Sequence, residues 1–117
     1  MKLEVGQFAR LKSGYICKII NINDFREPNM KYGIEASYLK DVMFIGDNDI
    51  AKASYNIIDL IEKNDYINGS WVNEIVDGKP IHEDYNDPFY SFGWENDDIK
   101  TVITHEQMEQ MAYKVGD

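Results

Sequence analysis

Short apolar blocks rich in isoleucine and valine alternate along the chain with turn pairs, a pattern that predicts strands far more often than helices. "GQFARLKSGYICKIINI" reads as two strands, Gln7 to Lys12 and Tyr15 to Ile22, around a Ser13-Gly14 turn. In "INDFREPNMKYG", Asp24 and Pro28 mark a loop before a further strand near Lys31 to Ala36. "DVMFIG" is a short, nearly continuous apolar strand closed by Gly46 and Asp47. "DYINGSWVNEIVDGKPI" repeats the same grammar: strand, Asn68-Gly69 turn, strand, and then Asp77-Gly78 as a second turn.

Two elements depart from the strand pattern. Thr104 opens a capping box, Thr-His-Glu-Gln, ahead of a helix predicted over residues 105–112. Met108, Met111 and Ala112 share one face of it and are expected to pack on the core, with Glu106, Glu109 and Gln110 toward water. "DIAKASYNIIDLI" also has a helical reading, against its β-branched residues and Asn56. "IKTVIT", just before the capping box, reads as a strand.

"EVGQFA…SGYICKI" and "EKNDYI…NGSWVNEI" align as an internal repeat at about 58 residues, with Glu4 over Glu62, Gly6 over Asn64, Phe8 over Tyr66 and Ile19 over Ile75. The expected fold is mainly β (α+β): two small β-barrel halves, residues 1–58 and 59–117, with a short C-terminal helix.

Composition narrows the class. A chain of 117 residues with 13% aromatic content is long enough for one compact domain, or for two very small ones. The longest apolar run, Val42 to Ile45, falls well short of the roughly 20 residues that a membrane span needs. The N-terminal residues carry no signal-peptide pattern, and the lone Cys17 has no internal disulfide partner, so the expected setting is cytoplasmic. The net charge of −9 is uneven: residues 1–58 hold eight Lys/Arg and seven Asp/Glu, residues 59–117 four and fourteen. The acidic half disfavours direct binding of nucleic acid and favours a basic protein partner.

Signals for chemistry are sparse. Cys17 lies inside an apolar strand, which favours a buried, inert thiol. His82 and His105 are the only histidines, and with Cys17 they fall in three separate segments, so no zinc set is predicted. The acidic loops at 47–50 and 84–87 do not continue into a calcium-loop pattern. The chain has no nucleophile elbow, phosphate loop or dinucleotide fingerprint; the expectation is a protein that is not an enzyme, with no cofactor.

One stretch stands apart. "HEDYNDPFYSFGWENDD", His82 to Asp98, holds six carboxylates and five aromatic rings without a lysine or arginine. As an ordinary strand pair it would turn Phe89, Phe92 and Trp94 to the core and its acids to water. As a recognition surface it would use Glu83, Asp84, Asp87, Glu95, Asp97 and Asp98 to meet cations, with Tyr85, Tyr90 and Trp94 as anchors. Carboxylates along extended backbone can imitate a phosphate track.

The stretches "NINDFREPNMKYGIE", "FIGDNDIAKASYNIIDLIEKNDYING" and "IKTVITHEQMEQMAYKVGD" resemble small acidic proteins of clostridial and related Firmicutes phages and prophages. The resemblance implies SH3-like β-rich domains and a mobile-element setting, and it brings no activity with it. Cys17 and Asn64 depart from it where glycine is expected. By analogy of size, charge and setting it points to an anti-defence protein of the anti-CRISPR kind, inhibiting a basic, nucleic-acid-handling host protein such as a CRISPR nuclease. The alternatives are an SH3-like adaptor that binds a peptide in an aromatic groove, and a sponge for a signalling nucleotide built on Arg10, Lys12, Lys18 and Arg26.

Overall fold

The computed structural model describes residues 3–83, 91–112 and 115, the side chains of residues 82, 83, 91 and 92 excepted. The fold is mainly β with one short C-terminal helix, in two compact units, residues 1–60 and 61–117. No helix among the described residues is long and apolar enough to cross a membrane.

In the first unit β1 (Phe8–Leu11), β2 (Ile16–Ile22), β3 (Tyr32–Glu35), β4 (Met43–Ile45) and β5 (Ile50–Ser54) form one antiparallel sheet in the order β4-β3-β2-β1-β5. β2 serves both β1 and β3 because its register shifts between Ile19 and Asn21, and a bulge of this kind bends a strand. Ala9, Cys17, Ile19, Tyr32, Ile34, Ile45 and Ile50 make the core. A 3-10 turn, Asp47–Asp49, leads from β4 into β5, and the Tyr32 hydroxyl donates to Asp47 at 2.6 Å beside it. Gly46 is required at the start of this turn. A Cβ there would lie 2.4 Å from the Pro28 carbonyl oxygen and 2.7 Å from the Asn29 Cα.

The helical reading of "DIAKASYNIIDLI" is corrected. Residues 50–54 are β5, paired with β1 through Phe8↔Ser54 and Ala9↔Ala53, and residues 57–60 form a 3-10 turn. The open flank of β1 offers this segment a ladder of backbone hydrogen bonds, which outweighs its weak helical propensity. Ser54 then ends the strand by accepting from the Asn56 N–H and donating to Asp59.

The second unit holds β6 (Tyr66–Ile67), β7 (Ser70–Trp71), β8 (Glu74–Val76), β9 (Lys79–Glu83), β10 (Ser91–Gly93), β11 (Val102–Ile103) and the helix α1 (His105–Met111). Its two sheets run β11-β6-β7 and β10-β9-β8. Both predicted turns adopt the paired positive φ of a type I′ hairpin, 51° and 83° at Asn68-Gly69 and 51° and 78° at Asp77-Gly78. Ile61, Ile67 and Val72 form the core, with Ile75, Trp94, Ile99 and Val102 packed against it.

Thr104 caps α1 through the predicted box: its Oγ1 accepts from the Gln107 N–H, and the Gln107 side chain accepts from the Thr104 N–H. The expectation that the helix methionines fill a core is corrected. Met108 is 40% exposed and Met111 75%. Helical spacing shows which residues share a face, but only a covering element can bury that face.

The two units begin with the same turn. In the first, the Gln7 N–H donates to the Glu4 carbonyl, the Gln7 side chain accepts from the Glu4 N–H, and Gly6 has φ 99°. In the second, Asp65 repeats both bonds with Glu62, and Asn64 has φ 76°. Gly6 N–H and Gln7 C=O then pair with Ile19; Asn64 N–H and Asp65 C=O pair with Val72. In this hydrogen-bond pattern Val72 takes the place that Ile19 takes in the first unit, whereas the expected alignment sets Ile75 over Ile19. A further 3-10 turn, Asn96–Asp98, precedes β11 as Asp47–Asp49 precedes β5.

Candidate functional site

The acidic-aromatic segment spans β9, β10 and the chain beyond. β9 and β10 pair antiparallel through Glu83↔Ser91, Phe92↔His82 and Gly93↔Ile81. Asp84, Tyr85, Asp87 and Tyr90, and the side chain of Glu83, lie outside the described residues, as does Phe89. Trp94 follows β10 and is half-buried against the core of the second unit, so much of its ring is committed to packing. Glu95, Asp97 and Asp98 sit together on the exposed side of the 3-10 turn that follows. Glu95 pairs with Lys79, and the Lys100 ammonium donates to the Asp97 carbonyl at 3.0 Å. The turn is held from beneath by Asn68, whose side-chain oxygen accepts from the N–H groups of Lys100 and Thr101 and whose amide donates to the Asp98 carbonyl. Three of the predicted charged residues thus converge on one braced turn.

The first unit carries a groove of about 420 Å³. Phe8, Cys17, Leu39, Val42 and Ile57 give it an apolar lining, and Lys18, Glu35, Lys40 and Asp41 bring both signs of charge to it. Burial pushes the Cys17 thiol up to about 11, so it is protonated at neutral pH and a poor nucleophile. Nearby, Tyr15 and Tyr38 stack at a tilt with ring centroids 4.9 Å apart. Burial first, then the neighbouring Cys17 and Tyr15, pushes the Tyr38 hydroxyl up to about 12.

The four basic residues of the nucleotide-sponge reading are dispersed. Arg10 is 1% exposed and donates to the Leu60 carbonyl at 3.0 Å; Arg26 bonds Asn21 and stacks over the Phe44 ring. Lys18 alone of the four lines the groove.

A third group escapes the sequence reading. His105 Nε2 lies 2.7 Å from a Glu106 carboxylate oxygen and 3.2 Å from one of Glu62, and the three donor atoms all fall within 4.8 Å of one another. Glu62 stands 43 residues upstream of His105, a separation no spacing rule bridges. The nearest signal in the sequence is the expected alignment of Glu62 with Glu4, which singles out Glu62 but not its histidine partner.

Comparison with protein-family models, with curated proteins and with solved structures finds no match to the chain.

Proposed function

We propose that the chain is a duplicated SH3-like protein that acts by binding rather than catalysis, docking its acidic unit on a basic, nucleic-acid-handling protein of the host. The carrying observation is the division of charge. Residues 1–60 hold eight Lys/Arg and eight Asp/Glu, whereas residues 61–117 hold four and thirteen, so the entire net charge of −9 belongs to the second unit. Glu95, Asp97 and Asp98 concentrate part of it on one turn, where a row of carboxylates can take the place of phosphates in a basic groove. In a phage or prophage setting the fitting target is a CRISPR nuclease, and the outcome is inhibition.

The strand order supports the SH3-like reading. When β7 and β8 are taken as halves of one bent strand, both units follow one order, with a 3-10 turn before the last strand. The shared entry turn supports the duplication.

The test is a pull-down from bacterial lysate with washes at about 0.1 M and then 0.5 M salt, where screening differs strongly. A basic nuclease released by the second wash is expected. Reversing Asp97 and Asp98 to Lys should then slow association with it by about tenfold. Binding that ignores both salt and the reversal would sink the mimicry reading.

The groove of the first unit favours a second reading, an adaptor that takes an apolar peptide segment. It predicts a partner that survives the high-salt wash and is lost on Leu39→Asp.

A further inference from the structure

We infer that Glu62, His105 and Glu106 form a binding site for a divalent transition-metal ion of the zinc type. The ligands are side chains from two separate segments, one at the entry of the second unit and one at the first turn of α1. A zinc ion bound at about 2.0–2.2 Å to nitrogen and oxygen sets its ligand atoms roughly 3.4 Å apart on a tetrahedral face. The observed separations of 2.7 and 3.2 Å from His105 Nε2, with all three donor atoms within 4.8 Å of one another, lie close to that spacing. As the group stands, His105 Nε2 faces both carboxylates; a metal would be held through its lone pair, with the ring hydrogen on Nδ1.

The backbone around the site is fixed before any ion arrives. Asp65, with no exposed surface, accepts from the Glu62 N–H at 2.7 Å and from the His105 N–H at 2.9 Å, tying both ligand segments to one carboxylate. The Thr104–Gln107 capping box sets the first turn of α1. The matching turn of the first unit supplies an internal contrast. There Glu4 accepts from the Tyr55 hydroxyl at 2.6 Å, a phenol in the place of imidazole and second carboxylate. The shared turn thus needs no such cluster, and its ligand chemistry belongs to the second unit alone.

One imidazole and two carboxylates suit zinc or manganese better than calcium or magnesium, which favour six or more oxygen ligands. Three protein ligands also leave coordination positions for water. The positive end of the seven-residue helix opposes a cation and so limits affinity.

The test is calorimetric titration of the full chain with Zn²⁺ alone, with Ca²⁺ as a comparison, and a parallel Co²⁺ titration read by visible absorption. The expected result is one Zn²⁺ per chain and a cobalt spectrum of low coordination number. His105→Ala and Glu62→Gln should each weaken binding by at least about tenfold, whereas Glu74→Gln, at an exposed position of β8, should leave it unchanged. Circular dichroism of each variant separates loss of the site from loss of the fold, and Glu106→Gln offers a milder replacement should His105→Ala unfold. Weak binding at several sites, unaltered by Glu62→Gln or Glu106→Gln in a folded protein, would overturn the proposal, as would the absence of any heat of binding.

Discussion

Asp65 has no exposed surface, yet it carries a carboxylate, and its two oxygens hold the N–H groups of Glu62 and His105. Charge-assisted bonds of this kind are the strong ones, and removing the acceptor strands two donors. Asp65→Ala should therefore destabilise the second unit by about 3 kcal/mol, read as a lower urea midpoint in tryptophan fluorescence. Asp65→Asn keeps one acceptor and should lose less. Cys17 gives a prediction in pH. Its thiol is raised to about 11 from an ordinary 9.0, so the folded state holds the proton more tightly than the unfolded chain does. The contribution is whole below about pH 9 and declines as pH rises toward about 11, by at most about 2–3 kcal/mol. Urea midpoints at about pH 8 and pH 11 should fall less in Cys17→Ala than in the wild type; equal falls would show that the thiol is not the cause. Cys17 was legible in the sequence as an apolar-strand thiol. Asp65 and Arg10 were not, because hydropathy assigns charged residues to the surface and only the partner that satisfies them shows otherwise.

At the scale of elements, the turns were the most readable part of the chain. Asn-Gly and Asp-Gly supply the positive φ that a two-residue hairpin needs, and both sit where the sequence placed them. Their glycines differ in kind from Gly46. A Cβ on Gly69 or Gly78 meets nothing within 4 Å, so Gly78→Ala should cost only the backbone strain, about 1 kcal/mol. Gly46→Ala drives a methyl into the backbone of residues 28 and 29 and should cost about 3 kcal/mol or more, seen as a lower thermal midpoint. A Gly46→Ala protein as stable as Gly78→Ala would show that the backbone at Pro28 and Asn29 yields freely. The elements that misled were those decided by a distant neighbour. β5 is a strand because β1 needs a partner, and the Met108–Met111 face is exposed because nothing among the described residues covers it. Asn68 looked like a turn residue and no more, although its side chain also anchors the acidic turn at residues 96–98. Of the candidate site, the acids Glu95, Asp97 and Asp98 could be read from composition, whereas the Glu62–His105–Glu106 group depends on a contact across 43 residues.

Across the whole molecule, the two units differ in charge, one balanced and one at −9. Like charges crowded on a small unit repel one another in the folded state, and salt screens that repulsion over distances of about 8–10 Å. Added salt should therefore stabilise the second unit selectively. The chain carries its own reporters for this. Both tryptophans, Trp71 and Trp94, are half-buried in the second unit, and the single cysteine is buried in the core of the first. Tryptophan fluorescence thus follows unfolding of one unit and thiol labelling follows the other. Raising NaCl from about 0.05 M to 0.5 M should lift the fluorescence midpoint by about 4–8 °C, equivalent to about 1 kcal/mol for a unit of this size, and leave the labelling midpoint nearly unchanged. If both probes shift together, the two cores unfold as one and the charge acts on the molecule as a whole. If neither shifts, the carboxylates are already offset within the fold. Long-range steering of a basic partner, which draws on the same uncompensated charge, would then lose its physical basis.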